Sequence, residues 1–123
     1  MSRVEARLTD LGITLPTPPA PVASYVPFVR SAHLVHISGQ VSVDAQGGLK
    51  GRLGQNLTLE QGQAGARLCG LNLLAQMKAA AGGDLDRIVR IVKLCGFVNV
   101  TPDFDPIPAV MNGCSDLMLD VFG

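Results

Sequence analysis

Residues 58–83, TLEQGQAGARLCGLNLLAQMKAAAGG, and residues 88–100, IVRIVKLCGFVNV, decide the fold. The first stretch predicts a helix from about Leu59 to Ala81, because Thr58 can cap it and Gln61 stands three residues later, as in a capping box. We expect this helix to pack on a sheet, because its apolar side chains recur with the spacing of one helix face. These side chains are Ala64, Leu68, Leu71, Leu74, Ala75, Met77 and Ala79.

The second stretch predicts a long, mostly buried strand, because Val, Ile and Phe dominate residues 88–100. This interpretation makes Cys95 a small core residue rather than a nucleophile. After the strand, Pro106 and Pro108 stand where the first turn of a helix tolerates proline. A second helix is therefore expected to follow and to reach Phe122.

Two short β-rich segments precede the long helix, at Tyr25–Val29 and Leu34–Ser38, and the four residues between them suit a hairpin connection. Residues 1–20 predict a short helix capped by Ser2 and then a Pro-rich linker, so residues 21–123 form the main domain. Because the two larger helices are separated from the strands along the chain, we expect an α+β fold, with two helices packed on one face of a sheet.

Composition excludes several classes of function. The sequence has 10 Lys plus Arg and 10 Asp plus Glu, so its formal net charge is zero and nucleic-acid binding is not expected. The charged N-terminus argues against a signal peptide, and no apolar stretch is long enough to span a membrane, so we expect a cytoplasmic protein. The three cysteines show no metal-binding spacing. The positive mean hydropathy of so short a chain predicts that partner subunits cover some of its apolar surface.

Three short segments lie in order among the predicted elements: ASYVP at residues 23–27, HISGQ at residues 36–40 and VKLCGFVN at residues 92–99. Together they resemble the signatures of the Rid family of reactive-intermediate deaminases, also called YjgF. The resemblance covers roughly Pro21 to Phe122. It implies a chorismate-mutase-like fold, homotrimers with ligand clefts between adjacent subunits, and no metal or organic cofactor.

The resemblance further implies hydrolysis of reactive enamine and imine derivatives of 2-aminoacrylate to 2-keto acids and ammonia. The partners would be small molecules of the 2-imino or 2-keto acid type. A non-enzymatic small-molecule-binding or regulatory trimer on the same scaffold remains an alternative, because a fold does not determine a function. Endoribonuclease activity is a weaker alternative, because the chain is neutral overall and only 4% of its residues are aromatic.

Five site residues follow from the resemblance. It implies catalytic roles for Tyr25 and Ser38 and a substrate-binding role for Gly39, whose backbone N–H could hold a carboxylate. Asn112 and Ser115 both compete for the family's polar position on the second helix, also in substrate binding. Structural roles stay open for each: Tyr25 could fill space on a strand, Ser38 could satisfy turn backbone groups, and both helix residues could face solvent.

The sequence departs from the family pattern after the second helix. Family chains continue there into two more strands, which carry an Arg that binds the substrate carboxylate and a Glu that positions water. The sequence given ends at Gly123, so neither residue is assigned. Either this sequence is part of a longer protein, or it is a shortened member without the usual activity. We expect the first, because the loss of two strands would leave open sheet edges.

Overall fold

The computed structural model describes residues 2–123. These residues form three α-helices, a 3-10 turn at Leu85–Arg87 and two β-hairpins, which confirms the α+β class. Every helix within this range is too short or too polar to cross a membrane. In chain order the elements are α1 (Arg3–Asp10), β1 (Phe28–Ser31), β2 (Leu34–Ile37), β3 (Val43–Asp44), β4 (Gly47–Gly48), α2 (Leu59–Ala80) and α3 (Ile107–Phe122).

The long helix α2 begins as predicted. Thr58 Oγ1 accepts a hydrogen bond from Gln61 N–H at 3.2 Å, and Gln61 Oε1 accepts one from Thr58 N–H at 2.8 Å. This reciprocal pair satisfies two backbone donors at the helix start. The helix ends at Ala80, and Gly82 and Gly83 then adopt positive φ angles of 67° and 94°, which break the helical path.

The hydrophobic core lies between α2 and α3, with α1 packed against it. The two long helices approach closely at glycines. The Cβ position of Gly70 lies 3.1 Å from Cys114 Sγ, and that of Gly113 lies against the backbone of Gln63. The predicted second helix is confirmed as α3, which ends at Phe122. The buried core consists of Val4, Leu8, Leu74, Met77, Leu85, Cys114, Leu117, Met118 and Val121.

The first hairpin pairs β1 with β2 in antiparallel register. Its connection is only Ala32 and His33, with Ala32 at a φ of 52°, whereas the sequence predicted a longer connection. The first strand begins at Phe28 rather than at the predicted Tyr25. Proline can explain this late start, because Pro27 has no N–H to donate to a ladder.

Residues 88–100 lie outside every strand of the structure, so the prediction of a paired strand here is wrong. Within residues 2–123, no hydrogen bond reaches the backbone of residues 89–98. The far end is held, because Leu53 N–H donates to Asn99 O and Thr101 N–H donates to Leu53 O, both at 2.9 Å. A strand needs a hydrogen-bonded neighbour, and the composition of a segment does not show whether one is present.

Burial along this segment also differs from the prediction. Ile88, Ile91 and Leu94 pack against the core but are only half-buried, and no residue of 88–100 is fully buried, so the prediction of a mostly buried element is wrong. Cys95 is exposed, so its predicted place in the core is also wrong. Phe97 is 97% exposed, so the segment presents apolar side chains that nothing in residues 2–123 covers.

Helix α1 is hydrogen-bonded to the 3-10 turn that precedes residues 88–100. Ser2 caps the helix as predicted, because its Oγ accepts a hydrogen bond from Glu5 N–H at 3.1 Å. The Asp86 carboxylate accepts hydrogen bonds from the backbone N–H groups of Val4 and Arg3, both at 2.8 Å. These two bonds lower the pKa of Asp86, because they stabilise its charged form.

Candidate functional site

A concavity lies between the Pro-rich linker and the loop that follows β2. It is small, with a cavity volume of about 60 Å³. Two of the predicted site residues, Tyr25 and Gly39, line it. The remaining lining is mainly apolar and includes Pro19, Pro21, Val22 and Val41. The structure therefore brings two residues from separate predicted signatures to one small depression in the surface.

Two buried side-chain amides of α2 form hydrogen bonds to the two backbone segments that line this concavity. Gln76, 1% exposed, donates from Nε2 to Pro19 O at 2.9 Å and so fixes the linker. Asn72, 3% exposed, donates from Nδ2 to Val41 O and Val43 O, both at 3.0 Å. Because these side chains are four residues apart, they project from one face of the helix. Linker and loop are thus positioned by the same rigid element.

Sequence reasoning missed this pair of amides. The available signal was two polar side chains, Asn72 and Gln76, within the apolar face of a long helix. Polar groups in such places are hydrogen-bonded when buried, and their partners are usually irregular backbone. Gln76 Oε1 is also buried and has no hydrogen-bond partner within residues 2–123. This amide therefore has one satisfied donor and one unused acceptor.

Gly39 offers an open approach to the main chain. No heavy atom lies within 4 Å of the position that a Cβ would occupy, and its φ lies outside the left-handed region. Its N–H has no acceptor within residues 2–123. The backbone conformation therefore does not require glycine here. The absence of a side chain instead leaves space near the Gly39 N–H. Such a donor can bind a carboxylate oxygen or a developing negative charge.

Tyr25 presents a phenol at the same concavity. Its side chain is 44% exposed, and its hydroxyl has no hydrogen-bond partner within residues 2–123. The residue precedes β1 in a tight turn, where its own N–H donates to Ala23 O at 2.9 Å. An accessible phenolic hydroxyl can donate to or accept from a bound molecule. Tyr25 and Gly39 thus give the concavity two available polar groups.

The hydroxyl and the N–H of Ser38 both donate hydrogen bonds to the residues just before β1. Its Oγ donates to Val26 O at 2.6 Å, and its N–H donates to Pro27 O at 2.9 Å. No histidine, lysine or carboxylate hydrogen-bonds to the hydroxyl, so nothing within residues 2–123 activates it as a nucleophile. The structural role left open by the sequence is therefore present, and the hydroxyl oxygen can still accept a hydrogen bond from a ligand.

Asn112 and Ser115 lie elsewhere in the chain. Both are exposed on α3. Asn112 lines a separate groove between α2 and α3, together with Arg67 and Asp116. The groove and the concavity share no lining residue. Within one chain, the structure thus brings Tyr25, Gly39 and the adjacent Ser38 together and leaves both α3 residues apart from them.

Other reactive side chains do not form a second chemical centre. Burial raises the pKa of the Cys69 thiol and of the Cys114 thiol, because a charged thiolate is poorly solvated between α2 and α3. Both cysteines are therefore weak nucleophiles near neutral pH. In residues 2–123, no three His, Cys, Asp or Glu side chains converge as metal ligands would.

Comparisons with known proteins identify relatives of this chain. A family model described as "YjgF/chorismate_mutase-like, putative endoribonuclease" matches residues 5–123. Protein TCP17 of Trypanosoma cruzi is 50% identical over 122 residues, which cover 98% of this chain and 76% of that protein.

Two solved structures share the fold. The Agrobacterium tumefaciens protein Atu1372, described as having unknown function, is 41% identical, with a TM-score of 0.87 over 98% of this chain and 74% of its own. A Shewanella oneidensis protein described as a "putative endoribonuclease" is 36% identical, with a TM-score of 0.94 over 99% of this chain and 81% of its own. Each of these relatives is longer than the part that this chain matches.

Proposed function

Because the chain belongs to the YjgF/chorismate mutase-like family, we propose that it is a hydrolytic deaminase that converts reactive enamine and imine intermediates to 2-keto acids and ammonia. The concavity at Tyr25 and Gly39 is the proposed substrate site. The observation that carries this assignment is that the Gly39 N–H has no acceptor within residues 2–123 and that Gly39 lines the same concavity as the Tyr25 phenol.

The proposed reaction needs little from the protein beyond positioning. An enamine first tautomerises to the imine, and the oxygen of water then forms a bond to the imine carbon. The C=N electron pair moves to nitrogen, which takes a proton and gives a carbinolamine. Transfer of a proton from oxygen to nitrogen breaks the C–N bond, so that a 2-keto acid and ammonia leave. The site must hold the carboxylate, polarise the imine and place the water.

The residues divide these tasks in the proposal. Gly39 N–H binds one carboxylate oxygen, and the Tyr25 hydroxyl donates a hydrogen bond to the substrate. Ser38 Oγ keeps its bond to Val26 O and accepts a hydrogen bond from the attacking water. Asn112 and Ser115 are exposed on α3 and do not line the concavity, so we assign them to a cleft shared with a neighbouring subunit.

The proposed assembly is a cytoplasmic homotrimer. The apolar side chains left exposed in the chain support it, among them Val26, Val29 and Val92, which are 57%, 53% and 70% exposed. Such surface is commonly covered by subunit contacts. Sedimentation equilibrium should give three times the chain mass, and a monomer at micromolar concentration would remove the shared cleft from the proposal.

The second candidate is a non-enzymatic binder of 2-keto acids on the same scaffold. The geometry of Ser38 favours it, because the hydroxyl proton is already donated to Val26 O and no base accompanies it. Endoribonuclease activity is the third candidate. Its support is the wording used for the family and for the Shewanella protein, while the zero net charge speaks against an RNA-binding surface.

A keto-acid release assay tests the proposal. The protein is added to 2-iminopropanoate generated in situ, and 2-oxopropanoate is followed over time. We expect acceleration over the buffer rate, a loss of about tenfold for Tyr25→Phe, corresponding to one hydrogen bond, and no change for the exposed control Leu119→Ala. Saturable 2-oxopropanoate binding without acceleration supports the binder instead, and RNA cleavage without either result supports the ribonuclease.

A further inference from the structure

We propose that Gln76 is a positioning residue of the substrate site. Through its hydrogen bond to Pro19 O it places residues 19–22, here called the apolar wall, against the side chain of the bound substrate. This inference rests on the proposed deaminase function, because the wall lines the same concavity as Tyr25 and Gly39. The five site residues that the resemblance implies include none from α2 or from the Pro-rich linker.

The apolar wall has the chemistry of a side-chain pocket. All four of its residues line the concavity, and the sequence has no charged residue between Asp10 and Arg30. The wall therefore offers a bound molecule neither an ionic partner nor a side-chain hydrogen bond. What it can favour is a small apolar substituent, by removing that substituent from water.

Prolines make the wall stiff and limit how it can be held. Pro18, Pro19 and Pro21 fix three φ angles within four residues, and none of the three has an N–H to donate. The regular hydrogen-bond ladder of a strand therefore cannot place this segment. Because the segment is stiff, one hydrogen bond to its backbone also places the neighbouring residues.

Gln76 supplies such a bond from a rigid, buried position. Its side chain is 1% exposed, and its Nε2 donates to Pro19 O at 2.9 Å. The residue lies within α2, between the buried residues Ala75 and Met77. Displacement of the wall would leave a buried amide donor without its acceptor, which is unfavourable. Helix α2 therefore determines where the wall lies in the concavity.

Two substrates that differ by one methylene group test whether the wall contacts the substrate. In the wild-type protein, KM for 2-iminobutanoate should be about fourfold lower than KM for 2-iminopropanoate, the value of one buried methylene group. Gln76→Met keeps a long, unbranched side chain but removes the donor. We expect this variant to lose the difference in KM while kcat stays within about twofold of the wild-type value.

Gln63→Met is the matched control, because Gln63 of α2 also donates from Nε2 to a backbone carbonyl, Ala109 O, at 2.9 Å. This variant should keep the difference in KM. A difference that persists in Gln76→Met, or that is absent from the wild-type protein, would overturn the inference. A lack of keto-acid release would overturn the deaminase proposal alone, and the same comparison is then made with the Kd values of 2-oxobutanoate and 2-oxopropanoate.

Gln76→Glu gives a readout that does not depend on activity. A neutral carboxyl group can donate its O–H to Pro19 O, whereas a carboxylate cannot. Burial raises the pKa of an introduced carboxyl group, so the bond should be present at low pH and lost as pH rises through that raised pKa. The Ala20 amide shares a peptide group with Pro19 O, and its NMR resonance should titrate in Gln76→Glu but not in Gln76→Met. An Ala20 resonance that behaves alike in both variants would contradict the positioning role of Gln76.

Discussion

At the scale of single residues, we expect substitution by alanine to affect the stability of the protein differently at Gly39 and at Gly113. Gly39→Ala adds a methyl group to open space without a left-handed φ, so we expect the free energy of unfolding to stay within about 0.5 kcal/mol. The methyl should obstruct access to the main-chain N–H and lower the rate of keto-acid release by about tenfold to a hundredfold, as for loss of one hydrogen bond to a charged carboxylate. Urea denaturation and the release assay measure the two effects.

Gly113→Ala supplies the comparison, because its Cβ would collide with the backbone of Gln63. Overpacking of this kind costs about 1–3 kcal/mol or more. A Gly39→Ala protein that keeps both full stability and full activity would show that no ligand approaches this part of the main chain.

Ser38→Ala tests whether the hydroxyl acts on the hairpin, on the substrate or on both. Removal of the bond from Oγ to Val26 O should cost about 1 kcal/mol of stability, the usual net value of one hydrogen bond. We also expect the rate of keto-acid release to fall, because the same oxygen is proposed to hold the attacking water. A loss of stability with an unchanged rate would leave Ser38 a structural residue only.

At the scale of elements, the amides of α2 are predicted to position the concavity. Asn72→Ala removes two hydrogen bonds, although Val41 O keeps the one that it accepts from Val43 N–H at 2.9 Å, and the loss should cost about 1–3 kcal/mol. Amide exchange should become faster in residues 41–44. Arg67→Ala, on the exposed face of the same helix, should change neither quantity by a comparable amount. Equal effects of the two substitutions would contradict the positioning role of Asn72.

The start of α1 should depend on pH through Asp86. Its pKa is lowered in the folded chain by hydrogen bonds from the Val4 and Arg3 N–H groups, so the charged carboxylate is the stabilising form. The contribution is therefore present above the ordinary pKa of 3.8 and is lost as pH falls through the lower folded-state value. The Arg3 and Val4 amide resonances should titrate in that acidic window.

Asp86→Asn should abolish this titration, because an amide side chain does not ionise. Asp10→Asn, at the end of the same helix and without a hydrogen bond to its carboxylate within residues 2–123, should leave it in place. Titration of the Arg3 and Val4 amides that persists in Asp86→Asn would mean that another group controls the helix start.

Local signals predicted the helices well and the strand pairing less well. The Thr58 cap, the end of α2 near Gly82 and the proline-started α3 are encoded within a few residues, so they could be read from the sequence. The pairing of residues 88–100 depends on a neighbouring strand, which no local pattern reveals. The same reasoning missed Asn72 and Gln76, whose partners lie in the distant linker and loop.

At the scale of the whole molecule, the two long helices are well packed, whereas the extended segment between them is not. Helices α2 and α3 bury their apolar faces against each other, while residues 89–98 have no backbone hydrogen bonds within residues 2–123 and carry exposed side chains. The family and the α+β fold could be predicted from the sequence, through segments such as residues 36–40. The site could be predicted only in part, because Asn112 and Ser115 are exposed on α3 and do not line the concavity that Tyr25 and Gly39 share.

The most direct test of the account is an NMR titration of the ¹⁵N-labelled protein with 2-oxopropanoate, the proposed product. We expect a saturable shift that is largest at the Gly39 amide and extends to residues near Tyr25. The shift should be lost with an analogue of 2-oxopropanoate that carries a methyl ketone in place of the carboxylate. Shifts confined to the groove at Asn112, or no saturable shift at Gly39, would contradict the assignment of the concavity as the binding site.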